Sequence, residues 1–525
     1  MGDLTVEESE SAIRTKDGAP AEGLSRQILV LGGVVVLGAI MTVLDLTIVN
    51  VAIPTLGSDF DTSISTIQWV MTGYMLAFAS VIPLTGWATE RFGAKRIWLV
   101  SLVLFLLGSV LAGAAWSLGS LLAFRVLQGL GAGMILPVGQ TMLAQAAGPQ
   151  RMGRVMSVIG VPMLLAPVFG PVIGGLIIDQ ISWRWIFYIN LPVGVAALLA
   201  AQRLLPEAKP QLGQRLDLRG LTLLSPGIAI FLYGMSEAGN RGGFDNTRTI
   251  VAALIGLALV ALFVWHASAR GKAALIDISL FRRRGFATAA ATNLLLVIAL
   301  FGSLILLPLY YQVVRHETPL QVGMLLAPQG LGAAFAMPLA GLLTDKIGAR
   351  TVVSVGMVVA TAGMLAYTQV GADTSYLYLA AALLVLGLGI GSTIVPSMAA
   401  LYQTLAHEEV PRATSALNAI QRIAGAVGTA FLAIVLQRAI AANLPDLHGG
   451  IQGLANLSQA QRAHAAPALA DAFGTNFWVA AGLIAVSLLP ALLLPRRAPR
   501  QSAMEGEPNV RAKQAGHAPS PRGAV

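Results

Sequence analysis

Residues 83–96 read PLTGWATERFGAKR, and residues 338–350 read PLAGLLTDKIGAR. Pro83/Pro338, Gly86/Gly341, Arg91/Lys346 and Gly93/Gly348 stand in register, about 255 residues apart. Each run leaves one apolar stretch, turns through a few charges and enters another. Two further matches keep the order: Pro54 with Pro308 upstream, and GLGAG from Gly129 with GLGIG from Gly387 downstream. Three matched segments at a near-constant offset make the chain a doubled unit. Doubled apolar units are how many secondary transporters place a site at the bilayer midplane, between halves that rock against each other.

The surrounding composition supports a membrane reading. Of 525 residues, 56% are hydrophobic and 11% charged, with mean hydropathy +0.73, whereas a soluble chain carries about a quarter charged residues. Fourteen apolar stretches of roughly bilayer-crossing length are separated by charged or turn residues. The expected class is all-α: a polytopic membrane protein of two six-helix bundles plus a two-helix insert. Residues 1–27 form a polar tail, 28–202 the first bundle, 203–286 the insert with its linkers, 287–494 the second bundle and 495–525 a Pro/Arg-rich tail. Of 34 Lys and Arg, 26 fall on the amino-terminal side, six opposite, and Arg125 and Arg422 lie inside spans. This imbalance predicts both termini in the cytoplasm. It also removes the nucleic-acid reading of the net charge of +9, because short connections facing anionic lipid hold the basic residues.

With no cysteine and six histidines, disulfide, thiolate and metal chemistry have little to draw on. No Gly-x-x-x-x-Gly-Lys-Ser/Thr run is present to bind ATP, and no paired carboxylates, His cluster or Ser/Lys pair marks an intramembrane enzyme. No catalytic residue, metal or cofactor is expected, so transport would draw on an ion gradient. The stretch 439–476 reads as a plain external loop, its His448 and His464 too far apart for a metal site.

Asp45 lies deep in the first span, where an ionised acid is costly and asks for a partner or a task. Burial disfavours its charged form, which suits a proton carrier. At 1.5 Å per residue, Asp45 sits roughly 13 Å and Arg125 roughly 9 Å from the same side, so the two can meet. A permanent structural salt bridge is the alternative. Arg422 reads as structural. Candidate substrate-lining residues are Asn50, Trp69, Tyr74 and Phe78 in the first bundle and Asn293, Tyr310, Tyr311 and Gln329 in the second.

Four segments carry a family resemblance: LDLTIVNVAIP from Leu44, GWATERFGAKR from Gly86, LLAFRVLQGLGAG from Leu121, and APVFGPVIGGLIID from Ala166 followed by WRWIFYINLPVG from Trp183. Through them the chain resembles the major facilitator superfamily, and within it the 14-span drug:proton antiporters of the EmrB/QacA type. The resemblance covers the chain from span 1 to span 14. It implies a proton-coupled exporter in a bacterial inner membrane, with protons and small lipophilic compounds as partners, acting as a monomer; a periplasmic adaptor stays open. It links Arg125 to proton transfer and makes Gly86, Glu90, Arg91, Gly93, Lys95, Arg96 and Asp345 a cytoplasmic gate that latches the outward-facing state. It also makes Gly170, Pro171, Gly174 and Gly175 the antiporter motif at which span 5 bends. Glu90 stands where the family has Asp, Ala94 where a basic residue is common, and Ala166 for a leading glycine. The scarcity of acids within spans favours monocationic, zwitterionic or neutral lipophiles. Export of an endogenous metabolite or a self-made antibiotic is the competing reading, with a non-transporting receptor or channel behind it.

Overall fold

A computed structural model describes residues 25–148, 151–207, 210, 213, 215–445 and 459–494, and among them there is no strand. The tail readings for 1–24 and 495–525 lie outside the described residues. The long helices are α1 (Arg26–Asp59), α2 (Trp69–Val81), α3 (Leu84–Phe92), α4 (Ala94–Gly113), α5 (Leu118–Ala147), α6 (Met152–Gln180), α7 (Asn190–Leu204), α8 (Leu218–Arg241), α9 (Thr247–Arg270), α10 (Arg284–Val313), α11 (Pro319–Ile347), α12 (Ala349–Ala366), α13 (Tyr376–Tyr402), α14 (Val410–Asn443) and α15 (Gln459–Ala491). Twelve helical segments are long and apolar enough to cross a membrane, and α2 with α3, bent by 54°, adds a thirteenth. The 29-residue α6 is charged only at Arg154 and Asp179; the fourteen spans expected from the sequence thus compare with twelve to thirteen among the described residues. An all-helical fold follows from the solvent: without water, every backbone N–H and C=O must be satisfied within the segment.

Local signals set the helix ends. Ser117 with Ser120, and Thr318 with Gln321, form reciprocal caps at the starts of α5 and α11, satisfying donors that the first turn leaves open. The break between α2 and α3 falls at Ile82 and Pro83, where the sequence pattern predicts one unbroken span over 66–88; Pro83 lacks the N–H that would continue the ladder. Gly93 and Gly348 close the two copies of the repeated run with the same φ of 89° and ψ of 141° and 151°, a conformation open to glycine and strained for other residues.

The repeat is visible atom by atom. Gly129 abuts the Tyr74 carbonyl and Gly133 the Phe78 carbonyl, while Gly387 and Gly391 abut the carbonyls of Gln329 and Ala333 at the matching positions of α11. Gly131 and Gly389 face the backbones of α4 and α12. A Cβ at any of these six would collide with main chain, so the two Gly runs let α5 and α13 wedge between neighbours.

Helices α1, α2 and α4–α7 pack as one group and α10–α15 as another. The insert pair is unequal: α9 packs chiefly on α8, whereas α8 touches both α2 and α14, with Trp69 stacked on Tyr233 at 5.6 Å. The expected loop at 439–476 is a loop only in part. Helix α14 runs to Asn443 and α15 begins at Gln459, because QAQRAHAAPALADAF is rich in helix formers and Phe473 is buried against Tyr310. Residues 446–458, with His448, lie outside the described residues.

Asp217 fastens the insert. Its buried carboxylate accepts from the N–H groups of Gly220 (3.1 Å) and Leu275 (3.2 Å) and from His266 Nε2 (3.0 Å), with Arg270 at 3.6 Å. Burial works to raise its pKa, but the His266 bond, then those from Gly220 and Leu275, outweigh burial and hold it below the ordinary carboxylate value. A depressed folded pKa gives stability that is complete above the unfolded value of about 3.9 and lost as pH falls through the folded one. Asp217→Ala is expected to cost about 2 kcal/mol by removing a cap and buried acceptors. Thermal melting of the detergent-solubilised protein checks this, and the difference between wild type and variant should shrink only below about pH 4.

Candidate functional site

Asp45 and Arg125 meet in the interior of the first helix group. Arg125 Nη1 donates to Asp45 Oδ2 at 2.6 Å, with both side chains fully buried. The same nitrogen donates to Gln128 Oε1 at 2.7 Å, and Gln128 returns its amide N–H to Asp45 Oδ1 at 2.8 Å. Asn190 of α7 reaches Asp45 Oδ1 at 3.3 Å and Ser109 at 3.1 Å. Arg125 Nε points to the Val70 carbonyl at 3.4 Å, its guanidinium lies 4.0 Å from the Tyr74 ring centroid, and Nη2 has no partner among the described residues. Each carboxylate oxygen thus has a donor. Removing one charge would strand the other in an apolar setting.

Gly170 and Gly174, which the resemblance assigns to a helix-bend motif, stand beside this pair. A Cβ at Gly170 would overlap Thr47, and one at Gly174 would lie 3.3 Å from Ile48, so α6 presses on α1 just beyond Asp45. Gly175 has nothing within 4 Å of its Cβ position, and the side chain of Pro171 lies outside what the structure describes.

Next to the pair is a cavity of about 550 Å³, bounded by α1, α2, α8, α10 and α14. Tyr74, Phe78, Tyr233, Phe301, Gln421 and Arg422 are on its wall, and it extends to Asn240 and Gln437 near the ends of α8 and α14. Tyr74 both stacks on Arg125 and lines the cavity, placing a single ring between the buried ion pair and the space that a ligand could fill. At the other end of the helices, beside the basic turn at residues 90–96, the two groups are latched. Arg412 of α14 holds Glu90 through Nε at 3.0 Å to each oxygen and Nη2 at 2.9 Å, and also donates to the carbonyls of Lys272 and Ala274. Ser415 donates to the Ile82 carbonyl at 2.8 Å, Asn418 donates to Gln140 at 2.8 Å, and Gly86 would place a Cβ 3.0 Å from the Arg412 Cα.

Of the lining residues expected from sequence, Tyr74 and Phe78 lie on the cavity wall. Trp69 is reached only through Tyr233, and Asn293 only through Gln421, which donates to it at 2.8 Å. Asn50 is exposed, and Gln329 backs onto Gly387. Tyr310 and Tyr311 belong instead to a buried aromatic group with Tyr367, Phe473 and Phe477. Of the residues expected to form a gate, Gly86 and Glu90 face α14, and Gly93 makes the turn. Arg91 is half-buried, Lys95 donates to Gln202 within its own group at 2.9 Å, Arg96 is exposed, and the Asp345 side chain lies outside what the structure describes. Gln128, Asn190, Arg412 and Gln421 contact the candidate site residues and were missed by the sequence reading. Only Gln128 carried a local signal, standing three residues after Arg125 on one helix face.

The family model described as Major Facilitator Superfamily matches residues 35–429. The multidrug resistance protein B homolog of Mycobacterium tuberculosis (strain H37Rv) is 40% identical over 500 residues, covering 91% of this chain and 93% of the relative. The multidrug export protein EmrB of Escherichia coli is 30% identical over 415 residues, covering 78% and 80%. Among solved structures, a double-tryptophan mutant of XylE superposes with a TM-score of 0.61 at 14% identity, covering 91% of this chain and 98% of that one.

Two outcomes follow from the geometry. Asp45→Ala leaves a buried arginine unpaired and is expected to cost about 3–5 kcal/mol, whereas Asp45→Leu combined with Arg125→Met should recover most of that loss; melting temperatures in detergent check both. Glu90→Arg should loosen the latch, and Glu90→Arg with Arg412→Glu should restore it, read as the accessibility of single cysteines placed along α3 and α14.

Proposed function

The chain belongs to the Major Facilitator Superfamily, and from that premise we propose that it is a proton-coupled antiporter exporting lipophilic and amphipathic compounds by alternating access. The observation that carries this reading is the buried Asp45–Arg125 pair beside a cavity that lies between two helix groups, with Tyr74 touching both. The relatives named as multidrug resistance and export proteins support it.

The Lys/Arg imbalance supports a reading in which the basic turn at residues 90–96 and both termini face the cytoplasm, and the bacterial relatives support a bacterial inner membrane. The latch between Glu90 and Arg412 then closes the cytoplasmic side, and the cavity belongs to an outward-facing form. A proton arriving at Asp45 removes the charge that Arg125 neutralises. Arg125 keeps Gln128 and the Tyr74 ring as partners, but its strongest contact is gone, and the packing of α1 on α5 and α6 loses the ion pair that held it. Protonation is thereby coupled to the balance between conformers, through α1 and the Gly170/Gly174 contact. Each proton moving inward supplies about 2.3 kcal/mol per 100 mV and about 1.4 kcal/mol per pH unit.

The test uses protein reconstituted into liposomes with an acidic lumen and a panel of fluorescent pyrene amphiphiles: the acid, its amide and the amine. Wild type should accumulate at least one of them while the gradient lasts. Asp45→Asn should abolish that accumulation and leave gradient-free exchange of the same compound intact. Gradient-driven accumulation that survives in Asp45→Asn would remove Asp45 from coupling.

A further inference from the structure

Arg422 stands twelve residues after Val410, about 18 Å along α14 at 1.5 Å per residue, which puts a cation near the middle of the helix group. A charge at such depth is normally paired or hydrogen-bonded. Arg422 is neither: among the described residues it has no carboxylate within ion-pair distance and no hydrogen bond, and its guanidinium rests 4.4 Å from the Phe78 ring centroid. Nearby acids are engaged elsewhere. Asp45 is taken by Arg125, Gln128 and Asn190, and Glu237 by Arg241 at 2.8 Å. No Asp or Glu is among the described residues lining the cavity, so Arg422 is the one charge on its wall.

A second polar group nearby also lacks a partner. Tyr74 is fully buried, lines the same cavity, and its hydroxyl makes no hydrogen bond among the described residues. The remaining wall is mostly aliphatic and aromatic, at a volume suited to a drug-sized molecule. A planar guanidinium fork matches a carboxylate in two parallel hydrogen bonds.

We infer that Arg422 receives an acidic head group, so that the cavity selects amphiphiles carrying a carboxylate or a comparable monoanion. This deepens the antiport reading and rests on it for the statement that the ligand is transported. It replaces the structural role that the sequence alone suggests for Arg422, and the preference for monocationic, zwitterionic or neutral compounds drawn from the scarcity of acids. The head group is held by α14 of the second helix group while the body lies against Tyr74 and Phe78 of the first, so the ligand touches both parts that must move relative to each other.

The experiment measures equilibrium binding by protein in phosphatidylcholine nanodiscs, where no anionic lipid competes. The probes are 1-pyrenebutyrate, its amide and 1-pyrenebutylamine, read by quenching of tryptophan emission; Trp69 lies one ring from the cavity wall, on Tyr233. The acid should bind at least tenfold tighter than the amide, with the amine weakest. Arg422→Gln should bring the acid to the level of the amide and leave the amide unchanged, which also shows the variant to be folded; Arg422→Lys should keep part of the preference. Acid binding no tighter than amide binding in the wild type, no measurable binding of the acid, or equal weakening of both probes by Arg422→Gln would each overturn the proposal. Binding needs no gradient, so failure of gradient-driven accumulation for all three probes would sink antiport while leaving this ratio to decide the role of Arg422.

Discussion

A carboxylate and a guanidinium shut away from water have to neutralise each other, and the contact between Asp45 and Arg125 at 2.6 Å organises the first helix group. Asp45 comes from α1, Arg125 and Gln128 from α5, Asn190 from α7 and the covering Tyr74 from α2. Each polar contact satisfies an atom that would otherwise be stranded, so none of these helices can rotate or slide freely. Glycines at 170 and 174 bring α6 onto the same stretch of α1. The second group is held differently. With the repeat offsets of 254 at Pro54/Pro308 and 258 at Gly129/Gly387, the positions matching Asp45 and Arg125 are Ala299 and Leu383, both fully buried. An apolar core with Tyr310, Tyr367, Phe473 and Phe477 at one end replaces the ion pair. The doubled sequence therefore yields halves alike in backbone and unlike in electrostatics.

The insert gains its place from the same asymmetry. Two six-helix groups closed at the Glu90–Arg412 latch leave a gap toward the other end, and α8 crosses it by packing on α2 and α14 together. Gly227 and Gly234 of α8 fit against the α9 backbone, while α9 contributes little else to the interior. One insert helix thus walls the cavity and the other backs it.

How much of this could be read beforehand depended on whether a residue's partner was close in sequence or implied by the repeat. The doubled apolar pattern and the meeting of Asp45 with Arg125 were legible because helical rise and apolar periodicity turn residue numbers into depth. Gly93 and Gly348 were legible as a pair because only a shared backbone conformation demands glycine twice at one offset. Arg412 was not, since its partner Glu90 is 322 positions away and nothing in PRATSALN points to it. Tyr310 and Tyr311 looked like lining residues by type alone; the helix phase that turns them inward, toward Tyr367 and Phe477, depends on the packing of α15, whose first turns the hydropathy pattern reads as loop. Arg422 was visible as an oddity, but only the tertiary structure shows that every acid near it is already engaged.

With the proton on Asp45 and the anion on Arg422, as proposed, the charge carried by the centre of the molecule sets the energetics of the cycle. With Asp45 ionised, Arg125 and Arg422 leave a net single positive charge; a bound monoanion brings it to zero, and a proton on Asp45 in place of the anion brings it to two. A ligand-loaded centre that is neutral changes orientation without feeling the membrane potential, so export itself is not opposed by it. The protonated, ligand-free centre returns with two positive charges, in the direction that the potential favours, and for a full crossing gains up to about 4.6 kcal/mol per 100 mV. A neutral ligand would leave one charge on the loaded centre and a cation would leave two, each then working against the potential on the way out. The unpaired arginine is costly to bury, and this difference in work between anionic and other cargoes is the physical return that its position offers.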